Sequence, residues 1–230
     1  MKIIALNGKI GSGKDTVGRI IQCFINHDKN SLVELERLLK EESTVEVLHY
    51  LHQVVPKIET SFQQSSSDFK VKRFAHKLKL IASILTGIPI ERFESQEFKN
   101  TYLSSEWNWE GTNGIVEYQV RRFLQNLGTE AIREQIHENA WVNALMCELQ
   151  PTNNYIITDM RFKNEFAAVI EHHGLVWRIN CTDYQPKENE HISETELDDA
   201  NFHYVIYADR GNMKQLVEEV RKGLVHFKII

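Results

Sequence analysis

The chain has 230 residues, long for one minimal domain and short for two full ones. Apolar residues make up 42% and charged residues 26%, ordinary globular values that exclude a disordered, collagenous or coiled-coil chain. Lys and Arg total 27 against 32 Asp and Glu, a formal net charge of -5, which argues against a protein whose main task is to coat DNA or RNA. Cys23, Cys147 and Cys181 stand far apart without a Cys-x-x-Cys pair, so neither a disulfide framework nor a zinc site is expected. The opening apolar run stops at Gly8, too short for a signal segment, and no stretch approaches the ~20 apolar residues that span a bilayer. The expectation is a cytoplasmic protein with no membrane and no nucleic-acid partner.

Lys2 to Leu6 is an apolar, β-branched run that predicts a buried parallel strand. Gly8, four residues, then Gly13-Lys14 follows at once, the spacing of a phosphate-binding loop. Glycines let the backbone wrap an anion with its N–H groups inward. The helix starting near Gly13 turns its positive end to the same anion. Lys14 supplies a flexible point charge for β- and γ-phosphates. Position 15, where a Ser or Thr would usually bind magnesium, is Asp15. Its carboxylate suits magnesium, directly or through water, or could orient a basic residue; the plain alternative is a helix-start carboxylate.

Ser31-x-x-Glu34 and Ser43-x-x-Glu46 read as capping boxes before two apolar stripes, predicting a helical pair over about 31–55. Thr60 to Asp68 reads as a mobile connection. Phe69 to Phe74 is a second strand, and Ala75 to Thr86 a helix ending at Gly87. Residues 101–116 look irregular. Helices follow over about 116–149, with Gly128 as a C-cap and Thr129 capping the next helix. Tyr155 to Thr158, Leu175 to Asn180 and Tyr204 to Tyr207 read as strands, and Phe162 to His173 and Met213 to Val225 as helices. Alternating strands and helices predict a parallel sheet covered on both faces, with ligands beyond the carboxyl ends of its strands.

Asp159 directly follows a strand and resembles a Walker-B carboxylate that contacts magnesium or its water; the alternative is a helix cap. Arg161 opposes the dipole at a helix start, an odd placement without an anion nearby, so it reads as a phosphate clamp with Glu165 as its orienter or a substrate contact. Among Lys70, Lys72, Arg73, Lys77 and Lys79, one cation could reach an acceptor phosphate while the others are solvated. Arg121 and Arg122 flank an apolar stripe, and at least one of them is solvated. Trp141 fits core packing and a flat wall for a base equally well.

Together these blocks resemble one family, the phage-type deoxynucleoside monophosphate kinases. The matching pieces are Gly8-Lys9-Ile10-Gly11-Ser12-Gly13-Lys14-Asp15-Thr16, Phe74-Ala75-x-x-Leu78-Lys79, Arg122-Phe123-Leu124-Gln125-x-Leu127-Gly128-Thr129-Glu130, Trp141-Val142, Asp159-x-Arg161-Phe162-x-x-Glu165 and His191-x-Ser193-Glu194. They run in the family's order across most of the chain. The resemblance implies an α/β fold: a P-loop three-layer α/β/α domain over 1–230 with a five-stranded parallel sheet of order 2-3-1-4-5. A helical insertion at about 28–68 exceeds what the family needs, and segments at about 100–116 and 182–200 are candidates to close over the site. The implied reaction is magnesium-dependent transfer of the ATP γ-phosphoryl to a deoxynucleoside monophosphate, serving DNA synthesis. Gly11, Ser12, Gly13, Lys14 and Thr16 would hold ATP phosphates. Lys14, Asp15, Arg161 and Glu165 would form the catalytic cluster, with Asp15 and Asp159 toward Mg2+. Lys79, Arg121, Arg122, Thr129 and Trp141 look like monophosphate-side residues. His191, Ser193 and Glu194 carry no assigned role. Lys77 stands where family members often have proline. The resemblance places the protein in the cytoplasm, that of the host for a bacteriophage chain, and a homodimer is common among such enzymes. Rival readings are another small-molecule P-loop kinase, acting on dephospho-coenzyme A or phosphomevalonate, and a non-catalytic nucleotide-binding switch.

Overall fold

The structure is a computed structural model that describes residues 1–26, 29–41, 43–54, 69–112, 114–185 and 191–230. Its strands are β1 (Ile3–Gly8), β2 (Phe69–Lys72), β3 (Trp109–Gly111), β4 (Gly114–Val116), β5 (Asn154–Ile157), β6 (Leu175–Cys181) and β7 (Tyr204–Ala208). Its longer helices are α1 (Lys14–Asn26), α2 (Lys29–Lys40), α3 (Thr44–His49), α4 (His76–Thr86), α5 (Val120–Gln125), α6 (Ala140–Met146), α7 (Lys163–Glu171) and α8 (Met213–His226). The chain divides into two compact units, one joining Met1–Arg73 to Leu149–Ile230, the other Phe74–Glu148. No helix among the described residues is long and apolar enough to cross a membrane.

The first unit holds a five-stranded sheet in the order β2-β5-β1-β6-β7, parallel throughout. The hairpin strands β3 and β4 take two numbers in chain order. Counted among themselves, the five sheet strands run 2-3-1-4-5. All six residues of β1 are buried, as a central parallel strand covered on both faces requires. One face presents Ile4, Leu6, Ile156, Trp177, Ile179 and Ile206 to Val17, Ile20 and Ile21 of α1 and to Leu216, Val217 and Val220 of α8. Each such fully buried side chain contributes roughly 1.5–3 kcal/mol over its exposed state. The opposite face packs on α7, through Ala168 and Val169.

The segment between α1 and β2 joins this same core rather than forming its own. Leu35, Leu38, Val47 and Leu51 all belong to it. Ser43 caps α3 as expected, its hydroxyl accepting from Glu46 N at 3.3 Å. The first capping box is displaced: α2 already begins at Lys29, two residues before Ser31. A π-helical turn, Tyr50–Val54, continues α3. The connection expected at Thr60 to Asp68 lies outside the described residues.

The second unit has its own core of Ala82, Phe93, Leu103, Val120, Phe123 and Leu124. The stretch expected to be irregular contains the β3–β4 hairpin, with Trp109 opposite Val116 and its ring edge-on to Tyr118 at 4.9 Å. Gly128 and Thr129 are corrected. Neither ends nor starts a helix; a π-helical segment, Asn126–Arg133, runs through both, with Glu134 N donating to Thr129 O at 3.0 Å. The Gly128 backbone does not turn left-handed, and a Cβ there would press on the Leu78 side chain, 2.9 Å from Cδ2.

Candidate active site

The glycine loop joins β1 to α1. Gly11 and Gly13 have φ of 76° and 88°, the left-handed region that side chains rarely adopt. Gly8 is excluded from carrying a side chain by contact: its Cβ would lie 2.4 Å from Ser12 Oγ and 2.8 Å from Ile179 O. Ser12 Oγ is buried and has no hydrogen-bond partner among the described residues. A buried hydroxyl left unmatched costs roughly 1–3 kcal/mol, so this orphan marks the loop as a place built for an added acceptor.

Lys14 folds back over the loop, its Nζ donating to Gly8 O at 2.6 Å and Lys9 O at 2.8 Å. Burial, then the charges of Arg161 and Arg178, lower its pKa from 10.5 to about 7, against the opposing pull of Asp15 and Asp159. The same interactions place Lys14, Asp15, Asp159, Arg161 and Arg178 in one charge cluster. Asp15 is exposed and accepts from Arg73 Nη2 at 2.7 Å and from Thr158 Oγ1 at 2.9 Å. Here the carboxylate orients a basic residue, one of the options left open for it. Thr16 Oγ1 lies 3.2 Å from His52 Nε2, which burial and Arg19 keep below the ordinary histidine value.

Glu165 is buried and accepts the backbone N–H of Arg161 at 2.7 Å and of Phe162 at 3.1 Å. This is the glutamate half of a capping box, and it fixes the backbone from which Arg161 projects. The Arg161 guanidinium pairs with Glu194, whose other oxygen accepts Ile10 N at 3.0 Å.

Reading from the residues alone misses several members of this cluster. Arg178, in the middle of β6, donates to Asn7 Oδ1 at 3.1 Å and Asp198 Oδ1 at 2.6 Å. A guanidinium flanked by the buried Trp177 and Ile179 in a parallel strand was the available signal. Arg73 stood in the basic stretch from which one cation was expected to reach a phosphate, whereas Lys9, Thr158 and His52 carried no such signal, because their partners are remote in sequence. Among the described residues, no group of three or more His, Cys, Asp or Glu could hold a metal by itself. Asp15 and Asp159 both act on the charge of Lys14, so the two carboxylates face the same part of the loop.

The monophosphate-side candidates all belong to the second unit. Lys79 is buried and pairs with Glu94 at 2.7 Å. Arg121 donates to Gln96 Oε1 at 3.2 Å and Asn100 Oδ1 at 3.0 Å. Arg122 is exposed, over the ring of Trp109. Trp141 is buried, its indole N–H donating to Gly128 O at 2.9 Å, which is core packing. Thr129 sits inside the π-helical segment. Lys77 pairs with Glu148.

A family model described as deoxynucleotide monophosphate kinase matches residues 38–220. The chain belongs to the deoxynucleotide monophosphate kinase family. The matched span contains Arg121, Arg122, Asp159, Arg161, Glu165 and Glu194; the glycine loop precedes it. The loop and the family match are therefore separate observations that agree. No curated protein matches the sequence.

Proposed function

We propose that the protein is a kinase that moves the γ-phosphoryl group of ATP to a deoxynucleoside monophosphate, with magnesium, in the supply of precursors for DNA synthesis. The observation that carries this reading is the buried cation Lys14 under a glycine loop, in one charge cluster with Arg161 and Asp15. Family membership gives the acceptor class. Lys79, Arg121, Arg122 and Thr129 are the residues proposed for the monophosphate, with Trp141 holding the core behind them.

Phosphoryl transfer depends on positioning and charge neutralisation more than on covalent chemistry by the protein. On this reading, Gly11, Ser12 and Gly13 bind phosphate oxygens through the loop, and Ser12 gains the partner it lacks. Lys14 and Arg161 balance the charge that spreads over the transferring group. Asp15, Thr158 and Arg73 keep the start of α1 aligned. Glu165 holds the Arg161 backbone. Magnesium, when bound beside Asp15 and Asp159, would neutralise and orient phosphate oxygens. No strong general base is needed, because the acceptor is already an anion.

The test is magnesium and ATP with each deoxy- and ribonucleoside monophosphate in turn, following ADP and the diphosphate. The expected result is a deoxynucleoside diphosphate, with turnover down by orders of magnitude in Arg161→Ala at an unchanged melting temperature. ATP binding without any phosphorylated product would make the protein a switch; product only with dephospho-coenzyme A or phosphomevalonate would move it to another kinase class.

A further inference from the structure

We infer that Glu194 is a positioning residue for the reaction, holding the Arg161 guanidinium in register with the mouth of the glycine loop. The inference rests on the kinase reading above and extends it to the His191-x-Ser193-Glu194 block, to which that reading gives no role. The Glu194 side chain is only 8% exposed. One carboxylate oxygen pairs with Arg161 Nη1 and the other accepts the backbone N–H of Ile10 at 3.0 Å. A single carboxylate thus ties the mobile end of the arginine to the peptide that begins the phosphate loop. An arginine side chain has about 2 kcal/mol of rotamer entropy to lose, and a carboxylate matched to its planar fork removes part of that before substrate arrives.

Glu194 can do this because its own backbone is fixed. Lys9 Nζ donates to Glu194 O at 2.7 Å and to Asp198 Oδ2 at 2.8 Å. Arg178 donates to Leu197 O at 3.0 Å and to Asp198 Oδ1 at 2.6 Å. Leu197 is buried between these ties. His191 starts the short turn, its Nδ1 accepting Ser193 N at 3.2 Å and lying 2.9 Å from Ser193 Oγ. Residues 191–198 are therefore pinned both to the loop, through Lys9 and Ile10, and to the central sheet, through Arg178. Charge supports the same assignment. Arg161 and Arg178 both add positive charge beside Lys14, and Glu194 lets Arg161 remain at the loop before a polyphosphate is present.

The experiment is steady-state kinetics of Glu194→Ala, Glu194→Gln, Arg161→Ala and the Glu194→Ala/Arg161→Ala double variant in the full chain, with melting curves for each. The expected result is a kcat about 100-fold lower in Glu194→Ala, the scale of a reacting group displaced by about 1 Å, with the ATP KM changed less than about threefold. Glu194→Gln, which keeps an acceptor oxygen of the same shape, should recover part of the loss. The double variant should be no slower than Arg161→Ala alone, because Glu194 acts through that arginine. Tighter ATP binding at unchanged kcat in Glu194→Ala would overturn the inference and make the carboxylate a mere occupant of the phosphate position. Multiplicative losses in the double variant would overturn it too. A wild-type chain that turns over no monophosphate would overturn both this inference and the kinase reading beneath it, which separates that failure from the others.

Discussion

Raising the pH should discharge Lys14 in the ligand-free protein long before any ordinary lysine. Its pKa of about 7 follows from burial first and from Arg161 next. A site with that value is roughly 90% neutral one unit above it. A polyphosphate binds the charged form, so affinity should be flat below about pH 7 and fall about tenfold for each unit above it, until the raised pKa of the bound state is reached. The sign follows from proton counting: above about pH 7 the complex carries a proton that the ligand-free protein does not, so binding takes one up. The assay is a titration of lysine side-chain carbons by NMR, with and without ADP, alongside ADP affinity across the same range. Lys14→Met should delete the early-titrating signal. Lys14→Arg, whose charge persists, should flatten the affinity profile except for the slope that the nucleotide's own phosphates impose. If every lysine titrates near 10.5, or if the affinity slope is the same in Lys14→Arg, the account of a desolvated cation under the loop is refuted.

Substitutions at two positions test the framework that holds the site. Gly8→Ala should destabilise the protein by about 1–3 kcal/mol in urea, because the added carbon meets the fixed carbonyl of Ile179 at 2.8 Å as well as the Ser12 hydroxyl; an unchanged midpoint would mean that the loop relaxes freely. Glu165→Ala should cost about 1–3 kcal/mol by stripping the Arg161 and Phe162 N–H groups of their acceptor, and Glu165→Gln should restore part of it, both read from thermal melting.

The sheet was legible wherever periodicity and chemistry were local. All five of its strands fall within two residues of their expected ends, because four are largely apolar runs bounded by polar or turn residues and the edge strand β2 alternates apolar with lysine. Gly87 does end α4 in the left-handed conformation, with φ of 70°. The failures have a different source. Gly128 resembles a helix stop, but it lies against Leu78, a contact fifty residues away that no local pattern encodes. The β3–β4 hairpin was hidden because Trp109 and Tyr118 stabilise it by ring contact rather than by alternation. In the charge cluster beside the glycine loop, Lys14, Asp15, Arg161 and Glu165 were singled out through a motif or an electrostatic oddity. The links that order them, Thr158 to Asp15 and Glu194 to Ile10, span well over a hundred residues and become visible only in three dimensions.

The place of β1 in the sheet has a consequence for how the chain matures. It precedes the other four strands of its sheet in the chain, yet its two neighbours are β5 and β6, which begin at Asn154 and Leu175. A run of apolar residues that ends up buried at every position must therefore wait, unpaired, until most of the polypeptide exists. The unit Phe74–Glu148, whose core residues lie close together in sequence, has no such delay. Pairings across about 150 residues are slow, and exposed strand edges aggregate while they last. The central position that supports the glycine loop thus leaves β1 to close late, with its edges exposed until β5 and β6 have been made.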